Sequence, residues 1–410
     1  MTMDCTNPYD NPVTPVDPFG DCGDPCGGAI IGHDAGLLYS TGRNLNHTLL
    51  REGISNQLSF GLIDDEFSFL DVSLGNANGC FVKADGMLCG IGTMFTNEAT
   101  LTDLLADCIK CSCSATSSAY AIKADGSLWS FGVNFYGELG LGDTDARTEF
   151  VQADAGPFVS VSAGYNCCFA IKADGSLWAT GLNANGNLGF GDTTQRTSFE
   201  RVSVGPWASI SQSGASPFAL AITEAGALYG CGNGVYGKLC VADGDQTNYN
   251  VFTARGDGNV WADAKVGQSH SIALKTDGTI WTVGAGTSGA LGQGDYNTNT
   301  ALTQVGVALW EQIGAGNTFS MAVKSDGTVW ATGVNVYGQL GVNTGTTKYN
   351  VLTACVGLPG VVSLATVIAC GSFHAFALDG AAVYAAVDPY PTTADCPAFD
   401  EDNPYDNDCA

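Results

Sequence analysis

The stretch "AIKADGSLW" occupies Ala121–Trp129 and returns, letter for letter, at Ala170–Trp178, 49 residues on. Its centre reads as a β-hairpin. Asp-Gly between two short apolar runs marks a tight turn, because glycine supplies the positive φ that other residues resist. The period of two along a strand sets Ala121 and Lys123 on one face and Ile122 on the other. An exact copy at this distance points to a repeated unit of supersecondary structure, so the rest of the chain is read against that period.

The same pattern recurs from end to end. Its copies are "IGHDAGLLYSTG" (Ile31–Gly42), "FVKADGMLCGIG" (Phe81–Gly92), "AIKADGSLWSFG" (Ala121–Gly132), "AIKADGSLWATG" (Ala170–Gly181), "AITEAGALYGCG" (Ala221–Gly232), "ALKTDGTIWTVG" (Ala273–Gly284) and "AVKSDGTVWATG" (Ala322–Gly333), with a degenerate eighth, "FALDGAAVY" (Phe376–Tyr384). The turn glycines, from Gly36 to Gly380, are spaced by 50, 40, 49, 51, 52, 49 and 53 residues. A further apolar strand precedes most hairpins, as in "FVSVSAG" (Phe158–Gly164) and "WEQIGAG" (Trp310–Gly316). After each hairpin comes a glycine-rich loop such as "GVNFYGELGLGD" (Gly132–Asp143), then a short closing strand such as "FERV" (Phe199–Val202). Four short strands per 50 residues make one propeller blade, and blades bury their faces only against neighbours in a ring.

"GxNxxGxLGxGD" following "DGxLWxxG" at this period resembles the regulator of chromosome condensation family of β-propeller repeats, here of a phage or bacterial type. The resemblance covers roughly residues 27–387 and is poorest in the second copy, where "GTMFTNEAT" (Gly92–Thr100) replaces the Asn/Gly loop. It implies an all-β fold: a single closed β-propeller of four-stranded blades, seven in number, with eight as the alternative. Eight hairpins stand against seven preceding strands. The late segment "VVSLATVIACG" (Val361–Gly371) is expected to join the first hairpin and close the ring, leaving the last hairpin spare. The expected domains are an N-terminal arm (1–26), the propeller (27–387) and a C-terminal arm (388–410).

Composition limits the partners. The chain has 41 acidic and 15 basic residues, a net charge of −26. Five of the basic residues, Lys83, Lys123, Lys172, Lys275 and Lys324, share one slot of the repeat. Nucleic-acid binding needs clustered Lys and Arg to neutralise phosphates, so no nucleic-acid partner is expected. No apolar run reaches 18 residues, so no membrane insertion is expected. The start "MTMDCTNPYDNP" has neither the basic start nor the apolar core of a classical signal peptide. Sixteen cysteines nevertheless suggest an oxidising destination.

Both arms are rich in Pro, Asp, Asn and Cys and both contain "NPYDN", at Asn7–Asn11 and Asn403–Asn407. Such segments cannot build a core of their own. They are read as assembly arms, with Asn7, Pro8, Tyr9, Asp10, Asn403, Pro404, Tyr405 and Asp406 as candidate binding residues. A solvated tail is the plain alternative. Candidate disulfide cysteines are Cys5, Cys22, Cys26, Cys231, Cys240, Cys355, Cys370, Cys396 and Cys409, with Cys231–Cys240 one pairing. "CIKCSC" (Cys108–Cys113) has the look of a thiolate metal site, but Cys108 would face away from Cys111 and Cys113 unless a bulge intervened, and nothing nearby completes four ligands. No metal and no cofactor are expected. His270 and His374 precede hairpins at equivalent places, and Asp143, Asp192 and Asp295 sit in repeated loops, so structure accounts for them better than catalysis. Trp129, Trp178, Trp281 and Trp330 read as packing between blades. Arg255-Gly256-Asp257 matches a cell-adhesion tripeptide but precedes a strand as a turn would.

No catalytic motif is present, and the expectation is a protein that is not an enzyme: a protein-binding or structural ring. The family resemblance implies nucleotide exchange on a small GTPase, or inhibition of a secreted enzyme as by a β-lactamase-inhibitory propeller. Acidity, arms and cysteines together favour a virion component, for decoration or host attachment, assembled through its arms with other subunits of its own kind. A cell-surface or extracellular filament subunit is the alternative. A host surface receptor or glycan is a further candidate partner. The expected location is the virion or an extracellular surface.

Overall fold

The computed structural model describes residues 36–43, 57–95, 101–203, 205–344, 347–358 and 367–379. Their strands form seven four-stranded antiparallel blades in a ring. Blade 2 is the pattern: inner strand Cys108–Cys113, second strand Ser118–Lys123, third strand Leu128–Gly132 and outer strand Arg147–Asp154, in that spatial order. Blades 3 to 6 repeat it, with inner strands Phe158–Ala163, Trp207–Gln212, Trp261–Val266 and Trp310–Ala315.

Closure differs in detail from the expectation. One long strand, Gln57–Leu74, serves two blades. Its first part pairs with Gly36–Gly42, from Leu38 opposite Asp64 to Gly42 opposite Gln57. Its second part is the inner strand of blade 1, pairing with Asn78–Lys83. Blade 7 is therefore built from both ends of the propeller: Val367–Cys370, His374–Asp379, Gly36–Gly42 and the start of Gln57–Leu74. The last hairpin is not spare. Its strand His374–Asp379 lies between the late inner strand and Gly36–Gly42, so the first and last copies are two halves of one blade. Eight hairpin signatures thus make seven blades.

Two sequence features recur from blade to blade. In the Asp-Gly turn of blade 2, Gly126 has φ +82° and its N–H bonds Lys123 O at 2.8 Å. In six blades the register shifts after the first residue of the inner strand, as between Cys108 and Lys110 or Trp310 and Gln312. This bulge lets the aromatic or cysteine at the strand start and the residues two and four beyond the bulge face the same seam.

The core is divided among the seams. Seven buried clusters occur, one between each pair of neighbouring blades. Alternation along the second strand produces them: Phe218, Leu220 and Ile222 face blade 5, while Ala219 and Ala221 face blade 3. Large residues from one blade meet small ones from the next, which lets the sheets approach. Trp178, Trp281 and Trp330 pack on these inter-blade clusters, as expected.

Candidate functional site: the loop face and the channel mouth

Each third strand ends beside the turn that follows the inner strand. In blade 2, Val133 N donates to Ser117 O at 3.0 Å. A Cβ on Gly132 would lie 2.2 Å from the same oxygen, so only glycine allows the approach. The glycine-rich loops therefore emerge on the face where the inner strands end. There the seven inner strands surround a cavity of about 150 Å³ at the channel mouth. Ser73, Ser112, Ser162, Gln212, Asn317 and Ser372 contribute, and no charged residue lines it.

The loops are held by a repeated side-chain device. Asn134 Nδ2 donates to Asp143 O, Asp143 Oδ1 and Asp145 O, each at 3.1 Å, while its Oδ1 accepts from Leu139 N. Asn183 does the same with Asp192, Thr194 and Leu188. Arg147 and Arg196 bond Asp143 and Asp192 and hold these carboxyls below the usual carboxylate range. Asp295 Oδ1 accepts from Asn297 N. The three aspartates make turns, which matches their expected structural role. The loops also stitch blade to blade: Gly142 N bonds Thr197 O, Gly191 N bonds Asn250 O, Gly244 N bonds Thr300 O and Gly294 N bonds Asn350 O.

On this constant frame the loop tips vary. After the Asn or Gly come Phe135-Tyr136, Ala184-Asn185, Val235-Tyr236, Thr287-Ser288 and Val336-Tyr337 in blades 2 to 6. Phe135 is 75% exposed, and Val235, Tyr236 and Val336 are also exposed. Sequence reading missed these tips. The signal was present in the repeat alignment, as apolar residues in otherwise polar loops.

The opposite face carries the Asp-Gly turns, with Val307, Leu309, Val159 and Val260 exposed where the inner strands begin. Asp125, Asp174, Asp277 and Asp326 each accept bonds from the backbone N–H and the hydroxyl of a Ser or Thr two residues on. That hydroxyl accepts from the indole of Trp129, Trp178, Trp281 or Trp330. The repeated lysines lie over the same rings, Lys324 at 3.7 Å from the Trp330 centroid. This explains why the lysines share one slot and form no basic patch.

Other candidates resolve into structure. His270 and His374 are buried, and desolvation lowers both pKa values to about 4. His270 Nε2 meets Ser320 Oγ of the next blade at 2.9 Å. Arg255 of the adhesion-like tripeptide is spent on Asp257, on Asp243 at 2.8 Å and on Cys240 O.

The described cysteines all carry free thiols. The expected Cys231–Cys240 pair is not formed. Cys231 Sγ donates to Asn187 O in the seam between blades 3 and 4, and Cys240 Sγ to Lys238 O in the seam between blades 4 and 5. Cys355 and Cys370 pack in one cluster as thiols. The bulge needed to align "CIKCSC" is present, so Cys108 joins Cys111 and Cys113 in one seam. Among the described residues, no three His, Cys, Asp or Glu side chains converge as a metal site requires. The arm candidates Asn7, Pro8, Tyr9, Asp10, Asn403, Pro404, Tyr405 and Asp406, and Cys5, Cys22, Cys26, Cys396 and Cys409, lie outside the described residues.

Comparison with known proteins agrees with this architecture. Residues 125–171 and 310–339 match family models described as the regulator of chromosome condensation (RCC1) repeat. The fold is similar to human WBSCR16, with a TM-score of 0.73 and 18% identity over 84% of this chain and 99% of that one. It is similar to Prp20p of Saccharomyces cerevisiae, with a TM-score of 0.71 and 14% identity over 84% of this chain and 92% of that one. The same yeast protein, solved with Kap60, matches at a TM-score of 0.71 and 13% identity over 84% of this chain and 89% of that one. The chain thus carries repeats of the RCC1 type at these two segments, within a closed ring of seven blades.

Proposed function

We propose that this protein is a non-catalytic ring that binds a protein partner through its loop face, as a component of a larger assembly. One observation carries the reading. At loop positions that the fold holds in register, the chain changes residue from blade to blade and leaves Phe135, Val235 and Val336 exposed. A scaffold that varies its presented tips on a constant frame suits recognition, and exposed aromatic anchors are what protein interfaces use. The uncharged, polar channel mouth lies at the centre of the same face. The structures of Prp20p, described with its binding to Gsp1p and histones, and of its complex with Kap60 lend support by analogy of fold.

The finer assignment is a virion component joined through residues 1–26 and 388–410. These arms hold twelve acidic residues and no basic one, and they share "NPYDN". The test is site-specific photocrosslinking in the native source, with a benzophenone side chain at Phe135 or at Val307 on the opposite face. Phe135 should give a protein adduct that co-purifies with particles, and Val307 should not. Adducts from Val307 alone, or from neither position, would overturn the loop-face reading. An adduct from Phe135 in a soluble fraction without particles would overturn the virion assignment and leave the binding face standing.

A further inference from the structure

Internal repeats allow each seam to be compared with six others, and the seam between blades 1 and 2 is chemically unlike the rest. Where other second strands place Tyr120, Phe169 or Leu220, blade 1 has Cys80. Where other inner strands open with Phe158, Trp207, Trp261 or Trp310, blade 2 has Cys108. The next two core slots, filled elsewhere by pairs such as Val161 and Ala163 or Ile313 and Ala315, hold Cys111 and Cys113. All four thiols are buried in one cluster. Cys111 Sγ donates to Cys80 O at 3.2 Å, and Cys113 packs in the same cluster.

The second copy has no Asn/Gly loop, and a stack of Phe95 on Phe131 and Phe131 on Phe150, both at 5.3 Å, stands in its place. The cysteine-bearing strand is also tied to blade 1 by hydrogen bonds, from Cys108 N to Gly86 O, Cys111 N to Asp71 Oδ2 and Cys113 N to Ser73 Oγ, so the thiols of the two blades are held face to face.

We propose that this seam is a redox latch, in which Cys80 of blade 1 forms a disulfide with Cys111 of blade 2 when the protein meets a peroxide. The chemistry balances. One thiolate attacks a peroxide oxygen, the O–O bond breaks, and a sulfenic acid and one water form. The second thiol then displaces the sulfenic oxygen as a second water, so two thiols and one hydrogen peroxide give one disulfide and two waters. Cys113 is the neighbouring thiol left reduced. Burial keeps the thiols protonated and the closed seam unreactive, so the latch sets when the seam breathes. The cross-link closes a 31-residue segment and ties the two blades covalently. This proposal is independent of what the loop face binds.

The experiment treats the full chain with hydrogen peroxide, with and without sub-denaturing urea, and maps unreduced peptides by mass spectrometry. A cross-linked pair containing Cys80 and Cys111 is expected, formed faster in urea. Two titratable thiols should be lost, and the unfolding midpoint should rise by about 4 °C. Cys80→Ala should abolish the species. Cys113→Ala should keep it, which guards against a variant that merely fails to fold. Retention of both thiols after seam opening, a cross-link to another cysteine, or survival of the shift in Cys80→Ala would overturn the latch.

Discussion

The seams on either side of the ring solve one packing problem by different means. Between blades 5 and 6, Trp310 and Ile313 meet Ile272, Leu274 and Ile280. Polar ties join the same blades: Thr332 Oγ1 donates to Gly289 O at 2.9 Å, His270 meets Ser320, and Gly294 N bonds Asn350 O. Between blades 1 and 2, cysteines replace the aromatic anchors, and Phe131 stands where Thr332 stands. The first seam is held by large side chains locked with hydrogen bonds. The second sets small polarizable groups and stacked rings beside backbone bonds, from Cys111 N to Asp71 Oδ2 and Cys113 N to Ser73 Oγ. A repeat fold therefore fixes the geometry of its seams while leaving the chemistry free, and the departing seam is where extra chemistry has room.

The anchors should show the largest difference. Trp310→Ala removes a buried indole from a well-packed seam and should cost about 4 kcal/mol in urea unfolding. Cys108→Ala, at the equivalent position, removes one sulfur and should cost about 1 kcal/mol. Equal costs would refute the contrast. Trp310 Nε1 has no partner in its buried site, so Trp310→Phe should recover most of the loss.

Most of this fold was readable from the sequence because its determinants are local. Asp-Gly turns, alternating strands and a 50-residue period each report on the backbone within a few residues. Blade closure was only partly legible, because the pairing of His374–Asp379 with Gly36–Gly42 joins segments more than 330 residues apart, and no local pattern states which copies share a blade. The face-forming role of Phe135 and Val336 was missed because exposure depends on how the loop leaves the sheet. The bulge that turns Cys108 inward was foreseen only as a condition. Its cause lies in the register between two strands, a tertiary property that composition does not carry.

Histidine tests the polar side of the comparison through pH. His270 sits between blades 5 and 6 and is held neutral, its pKa lowered from 6.5 to about 4 by burial. The unfolded chain takes up a proton below pH 6.5 that the folded chain refuses until about pH 4. Stability is therefore full above pH 6.5 and falls as the pH drops through that window, by on the order of 3 kcal/mol at its lower end. His270→Gln should flatten that part of the stability–pH curve. An unchanged slope would show that the seam tolerates the charged ring. His374, equally buried in blade 7, contributes a parallel slope that remains in the single variant.

The smallest effect isolates one hydroxyl. Thr180, Thr332 and Thr41 follow the third-strand aromatic by two residues, and each donates to a loop carbonyl of the preceding blade: Gly137 O, Gly289 O and Gly338 O. Thr332→Val keeps the shape and removes one of the two hydrogen bonds that Gly289 O accepts, the other coming from Gly292 N, which should cost about 1 kcal/mol, and Thr332→Ser should restore most of it. The share of the cost that belongs to the Gly289 bond should be absent when the change is combined with a variant that already opens the seam between blades 5 and 6, leaving only the share of the hydroxyl's second bond, to Tyr349 O within blade 6. Full additivity would mean that the threonine stabilises blade 6 alone, and that the polar ties belong to single blades rather than to the ring.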